Sequence, residues 1–339
     1  MQQSNFFKAG ILTLVLVTTA LGSWEFYLRH KGVTVDYDDD EALWSNQRAM
    51  VYEPQDKATV FIGSSRIKYA LDIPTWESIT GNHAIQLANV GSDPRPVLDD
   101  LANDPKFKGN VVVDVMEALF FSEFAPNDGL TAKKIAYFKT RTPAERCNFQ
   151  LDHALESQFV LLDKFNFSAN ALLDELEIPD RPGVFAMPLF PRDFERVRFN
   201  RQSYMTERFL AEPGLQNQVK GIWVFLMKVL PPPITGPRLD AILNSVKVSV
   251  DKIKARGGHV LFVRTPCSGP MFAGESKGFP RAVYWDRLLA LTECQGIYFS
   301  DYPALAHFEC PEFSHLRPSD AVIFTKELAR IIEKEKSWR

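Results

Sequence analysis

This 339-residue chain lacks a strong charge of one sign, clustered cysteines and any metal-ligand spacing of histidines. A net charge of −3 argues against a nucleic-acid partner held on a basic surface. Its four cysteines, Cys147, Cys267, Cys294 and Cys310, form no C-x-x-C pair, which disfavours a zinc site or a thioredoxin-type motif. Outside the cytosol they are candidates for disulfides, with Cys294–Cys310 the pair to test. His30, His83, His153, His259 and His307 are scattered, so no metal and no cofactor is expected. No G-x-G-x-x-G follows a strand-like run, and the chain's Gly-Ser-Ser turn lacks the Lys of a P-loop. A phosphate cradle is therefore the weakest reading of that turn. No internal repeat is visible. Apolar residues make up 45% and charged residues 24%, a globular composition long enough for one large domain or two small ones. Phe (26) and Pro (22) are abundant, which suggests ordered loops pinned by aromatics.

One long apolar run is present. Residues 9–22 (AGILTLVLVTTALG) carry no charge, and with 23–28 the stretch approaches the ~20 residues that span a bilayer. Trp24, Phe26 and Tyr27 suit an interfacial belt, with Arg29 and Lys31 beyond it. Three readings stay open: an uncleaved signal anchor over 1–32, which is preferred; a signal peptide cleaved near Ala20-Leu21-Gly22; and a buried core helix. Residues 33–57 read as a linker, with the acidic run 36–41 as a solvated stretch.

From residue 58 the chain alternates. Strand patterns at 59–62, 85–90 and 110–116 are separated by helical patterns, and after a long gap come strands at 259–264 and 297–302 with helices at 239–256, 283–292 and 319–336. This predicts a doubly wound, flavodoxin-like α/β sandwich with a five-stranded parallel sheet over 58–339. Residues 122–237 interrupt it as a mainly helical insertion, with helices expected at 132–140 and 159–177 and an apolar helix at 221–230. The Pro- and Arg-rich stretch 181–201 reads as a packed irregular loop, with a lid or anion groove as the sharper alternative.

Two short motifs carry the chemistry. Gly63-Ser64-Ser65 follows the first strand, so a Ser hydroxyl stands at the carboxyl edge of the sheet, where ligands bind in open α/β folds. Backbone N–H groups at the next helix start can hold a developing negative charge. Near the C-terminus, Glu312 precedes His315 by three residues, a spacing at which a carboxylate reaches and orients an imidazole.

Together these motifs resemble the SGNH (GDSL-like) hydrolase superfamily, in particular a membrane-anchored bacterial branch with a V-F-I-G-S-S-R opening and a P-E-x-S-H-L close. The resemblance covers roughly 58–121 and 259–328 and leaves out the insertion. It implies that Ser65 is the nucleophile, with Ser64 in place of the usual Asp. It implies that His315 is the base, Glu312 the orienting acid, and the Ser65 and Gly91 N–H groups the oxyanion donors. The family's third block ends in Gly-x-Asn-Asp, whose Asn donates to the oxyanion. Here the strand runs into Val115-Met116-Glu117 with no Asn, and Asn89 and Arg66 are the candidate substitutes. The implied activity is that of a serine esterase or O-acyltransferase on an extracytoplasmic ester or acylated carbohydrate, such as a cell-envelope polysaccharide. The catalytic domain would then be held by its N-terminal helix at a bacterial inner membrane, facing the periplasm. The alternative is a non-catalytic envelope binding or assembly protein on the same fold.

Overall fold

The computed structural model describes residues 2–123, 127–174, 176, 189–229 and 231–335. Its centre is a parallel sheet of five strands: β1 (Ala58–Ile62), β2 (His83–Gln86), β3 (Asn110–Asp114), β4 (His259–Arg264) and β5 (Gln295–Tyr298). Their spatial order is β2-β1-β3-β4-β5. β1, β3 and most of β4 are buried along their whole length, because helices cover both faces. This explains why they read as continuous runs of Val, Ile and Phe rather than as alternating patterns. On one face, helices Arg95–Asn103 and Gly236–Ala255 pack together, with Ser249 Oγ donating to Asp99 at 3.2 Å. On the other, Pro318–Glu335 packs on Ser65–Ala70 and Ile73–Thr80, and Thr325 Oγ1 accepts from Asp72 N at 2.8 Å. The chain is thus a doubly wound α/β three-layer fold. The strand order reverses between β1 and β3, which puts the loops after these two strands at the switch point.

Several elements differ from expectation in extent. β2 ends at Gln86, but Leu87 and Asn89 still donate to Phe61 O and Gly63 O at 2.8 and 3.1 Å. β5 ends at Tyr298, where the chain tightens into a 3-10 turn (Phe299–Asp301). The helix expected over 159–177 is three short pieces, Val160–Leu162, Lys164–Phe167 and Ala169–Asp174, with Asp163 capping the second; Glu177 lies outside the described residues. The apolar helix over 221–230 begins much earlier, at Pro213, and runs to Val229, leaving Leu230 outside the description. Of the loop over 181–201, residues 181–188, with Pro182 and Pro188, lie outside it as well. The remainder holds a short hairpin, Arg196–Val197 with Ser203–Tyr204. All four cysteines are free, so the Cys294–Cys310 disulfide is not formed; the two thiols approach Thr292 O and Pro266 O instead.

The largest correction concerns the linker over 33–57. Residues 41–48 form a helix capped by Asp40, whose carboxylate accepts from Ala42 N and Leu43 N at 2.9 Å. Leu43 and Trp44 are buried, and the Trp44 indole donates to Leu87 O at 3.1 Å. Arg48, also buried, pairs with Asp100 and Asp104 at 2.9 Å. The stretch reads as a linker because Arg48, Trp44 and Asp39 find their partners far along the chain, at Asp100 and Asp104, at Leu87, and at Lys68, Lys134 and Arg201.

The chain divides into two compact units, 1–38 with 142–186, and 39–141 with 187–339. The second holds the sheet. The stretch 122–237 is therefore no single insertion. In the first unit, helix Gln2–His30 is followed by helix Pro143–Glu156, which opens with a capping box between Thr142 and Glu145.

Candidate active site

The site starts from the sharp exit of β1. A Cβ on Gly63 would lie 2.6 Å from Asp114 Cβ and 2.8 Å from Ile67 Cγ2, so only glycine lets β3 approach this closely. Ser64 then caps the helix Ser65–Ala70, its Oγ accepting from Arg66 N at 3.4 Å. Ser65 is the first helical residue and half-buried, with its hydroxyl at the carboxyl edge of the sheet.

The opposing wall is the turn before helix Pro318–Glu335. Phe313 stands at φ 82°, a conformation rarely adopted by a bulky residue, and is held by Ser268 N donating to Phe313 O at 2.8 Å. Around this reversal the Glu312 carboxylate collects the turn's own donors. Its Oε1 accepts from His315 N at 2.5 Å and Ser314 N at 3.2 Å, and pairs with His315 Nδ1 at 3.0 Å. Its Oε2 accepts from the Trp223 indole N–H. The other ring nitrogen of His315, Nε2, stands 2.8 Å from Ser65 Oγ. Glu312 and His315 are almost fully buried. Aromatic rings surround the imidazole: Tyr69 at 4.5 Å, Phe194 at 5.5 Å and Trp223 at 5.8 Å between centroids. Tyr69 comes from the helix that Ser65 opens, four residues after it. Phe194 and Trp223 come from the stretch before β4. They belong to a second apolar cluster with Met205, Phe209 and Val219.

A hydroxyl, an imidazole and a carboxylate in series can move a proton from the hydroxyl while the carboxylate orients and stabilises the imidazolium. Residues 65, 312 and 315 are thus brought together. Gly91 sits at φ 61° two residues beyond Asn89, whose N–H donates to Gly63 O at 3.1 Å, so its loop abuts the Gly63–Ser65 turn.

The candidate substitutes for the absent oxyanion Asn are engaged elsewhere. Asn89 donates to Thr131 at 3.2 Å, and its Oδ1 accepts from Lys134 and Arg201 at 3.1 and 3.0 Å. Arg66 is buried, and its bonds go to groups other than Ser65. Its guanidinium donates to Glu275 at 2.9 and 2.5 Å, to Ser314 Oγ at 3.1 Å and to Met271 Sδ at 2.9 Å. Glu275 also pairs with Arg264, which in turn holds Glu117 at 2.6 Å. Burial alone would raise the Glu275 pKa, but Arg66 and Arg264 outweigh it and hold the carboxyl below its ordinary range. For Glu117, burial prevails over Arg264 and the pKa is raised. Burial likewise raises Asp114 and pushes the Cys267 thiol to about 11, so that thiol stays protonated at neutral pH and is a poor nucleophile.

Two contributions escape a reading of the sequence. Trp223 gave no motif signal, because what matters is its distance in space from Glu312. The Arg66–Ser314 bond ties the helix of Ser65 to the turn of His315, whereas the sequence offers Arg66 only as a substitute oxyanion donor and Ser314 only as a neighbour of His315. No family model and no curated protein matches this chain.

Proposed function

We propose that this protein is a serine esterase or O-acyltransferase of the SGNH type that works through an acyl-enzyme on Ser65. The observation that carries this reading is the unbroken series Ser65 Oγ, His315 and Glu312, with contacts of 2.8 and 3.0 Å. In the proposed reaction, His315 Nε2 takes the Ser65 proton as Oγ attacks an ester carbonyl. Glu312 holds the imidazolium that results. The Ser65 and Gly91 N–H groups receive the developing oxyanion. His315 then returns the proton to the leaving alcohol, and water or a sugar hydroxyl resolves the acyl-enzyme by the same route in reverse. The substrate class is an ester or acylated carbohydrate outside the cytoplasm. The location follows from reading helix Gln2–His30, which is long and apolar enough to span a membrane, as an anchor in a bacterial inner membrane.

One observation favours a second reading, a non-catalytic binding protein. No Asn stands directly after β3, where the chain runs Val115-Met116-Glu117; Asn127, further along the chain, donates to Val90 O at 2.8 Å, and Asn89 and Arg66 bond to other groups. The loss of one oxyanion donor costs roughly a hundredfold to a thousandfold in rate. A fluorophosphonate probe separates the two. The esterase reading expects wild type to be labelled, Ser65→Ala to be inert, and His315→Ala to be labelled at least a hundredfold more slowly, all with unchanged circular dichroism. If wild type reacts no faster than Ser65→Ala, the esterase reading fails and the binding reading stands.

A further inference from the structure

The first unit combines two features that point to the same partner. Helix Gln2–His30 contains 16 uncharged residues from Ala9 to Trp24, after which Glu25 is the first charge. At 1.5 Å per residue the 26-residue candidate span Asn5–His30 is about 39 Å long, more than the ~30 Å hydrocarbon core. Its last six residues, from Glu25 onward, therefore fall at the headgroup level. The segment 158–167 is fastened at that level. The Glu25 carboxylate accepts from Val160 N and Leu161 N at 3.1 and 2.9 Å, Arg29 donates to Gln158 O at 2.7 Å, and Trp24 meets the Phe167 ring edge-on at 6.4 Å.

Beside this junction lies an uncovered apolar surface. Helix Pro143–Glu156 buries none of its residues. His153, on one side, meets Tyr37 with ring centroids 5.6 Å apart. Leu151 and Leu155, one turn apart on another side, are 61% and 52% exposed. Phe159, Leu173 and Leu176 are exposed as well. A 14-residue helix without a buried stripe is marginal in water, and apolar side chains in this number mark a surface that meets something. Residues 142–164 carry two basic side chains (Arg146, Lys164) against four acidic ones (Glu145, Asp152, Glu156, Asp163). Attraction to anionic headgroups is therefore not the driving force; burial of apolar area is.

We propose that the described residues of 143–176 form a second membrane-contacting element, lying in the interfacial plane of the leaflet from which helix Gln2–His30 emerges, with Leu151, Leu155, Phe159, Leu173 and Leu176 among the lipid acyl chains. The proposal rests on reading Gln2–His30 as a bilayer span. It follows from a shared junction: the carboxylate that ends the apolar run of the span is the same group that caps the backbone of the exposed segment.

The test uses the full chain, one copy per phosphatidylcholine nanodisc, with Cys147→Ser and Cys294→Ser. An environment-sensitive dye is placed at Leu155→Cys, at Leu16→Cys in the span, or at Gln150→Cys off the stripe. The expected result is a blue-shifted dye at 155, quenched by phospholipid carrying a nitroxide near the headgroup and unaffected by 0.5 M salt, while the dye at 150 is quenched by aqueous iodide. The dye at 16 reports the span separately through a nitroxide deep in the acyl chains. Quenching at 16 together with a water-exposed dye at 155 overturns the proposal and leaves the span intact. A dye at 155 shielded only in discs holding two copies overturns it in favour of self-association. No quenching at either position overturns both. As a measurement independent of labelling, amide exchange over 151–161 is expected to slow at least tenfold on moving from detergent to the lipid disc.

Discussion

Two buried ionic clusters grip the short helix Ser65–Ala70, and they differ in charge balance. On one side Arg66 and Arg264 face Glu275 and Glu117, two cations against two carboxylates. On the other, Lys68, Lys134 and Arg201 converge on Asp39 at 2.8, 3.2 and 2.5 Å, with Glu195 more loosely at 3.7 Å from Lys68. The first cluster is matched, and its Arg66 reaches across to the turn that carries His315. The second is over-supplied with positive charge. Burial would raise Asp39, but the three cations outweigh it and hold the carboxyl well below its ordinary range. Burial, with Arg201 and Lys68 adding to it, lowers Lys134 to about 8 against the pull of Asp39. A matched cluster fixes geometry. An unmatched one leans mainly on Asp39, with Glu195 only at 3.7 Å from Lys68, and leaves Lys134 poised to give up its proton.

The sharpest way to break this comparison is Asp39→Asn, which leaves three cations facing one another. It is expected to cost about 3–5 kcal/mol, the scale of a broken buried pair, read as a drop in the urea midpoint. A loss under about 1 kcal/mol would mean that Glu195 and water already neutralise the cluster. Glu275→Gln in the matched cluster is expected to cost less, about 3 kcal/mol at most, because Arg264 keeps Glu117. It should also slow labelling of Ser65, since Arg66 loses the partner that aims it at Ser314; unchanged labelling would detach the matched cluster from the site.

Trp223→Phe tests the ring against the donor. It keeps an aromatic beside His315 and removes the hydrogen bond to Glu312, so labelling of Ser65 is expected to fall about tenfold, the equivalent of about 1.4 kcal/mol, with little change in stability. Wild-type labelling in this variant would reduce Trp223 to a packing residue. The smallest effect belongs to Lys134→Met, which relieves the excess charge and is expected to shift stability at pH 7 by less than about 1 kcal/mol. Its signature lies in the pH dependence. Between about 8 and the ordinary lysine value of 10.5 the unfolded chain holds the Lys134 proton that the folded chain has released. Stability therefore rises with pH through that window. The variant should lose that rise, and retention of it would assign the slope to another group.

The sheet was legible in the sequence because buried strands announce themselves locally: 110–114 and 259–264 are runs of Val, Leu and Phe whichever partners they take. Glu312 and His315 were legible as a pair for the same reason, since three residues of turn put one within reach of the other. Helix Glu41–Arg48 was not. Short and preceded by the acidic run 36–41, it resembles part of a linker until Asp100 and Asp104 are brought to Arg48. The broken helix over 159–177 was misjudged because apolar residues at helical spacing do not reveal a caps-and-turns path such as Asp163 imposes.

By itself, then, the sequence determined the layers, the position of a Ser on a Gly turn at the carboxyl edge of β1, the local Glu–His pairing, and one segment apolar enough to cross a bilayer. Each depends on neighbours within a few residues. The tertiary structure alone decided that Ser65 meets an imidazole 250 residues away, that Trp223 completes the shell of Glu312, that Asn89 and Arg66 are committed elsewhere, and that 142–186 groups with the N-terminal helix. Those facts depend on which distant donor meets which acceptor once the sheet has closed its order, and no local pattern records that choice.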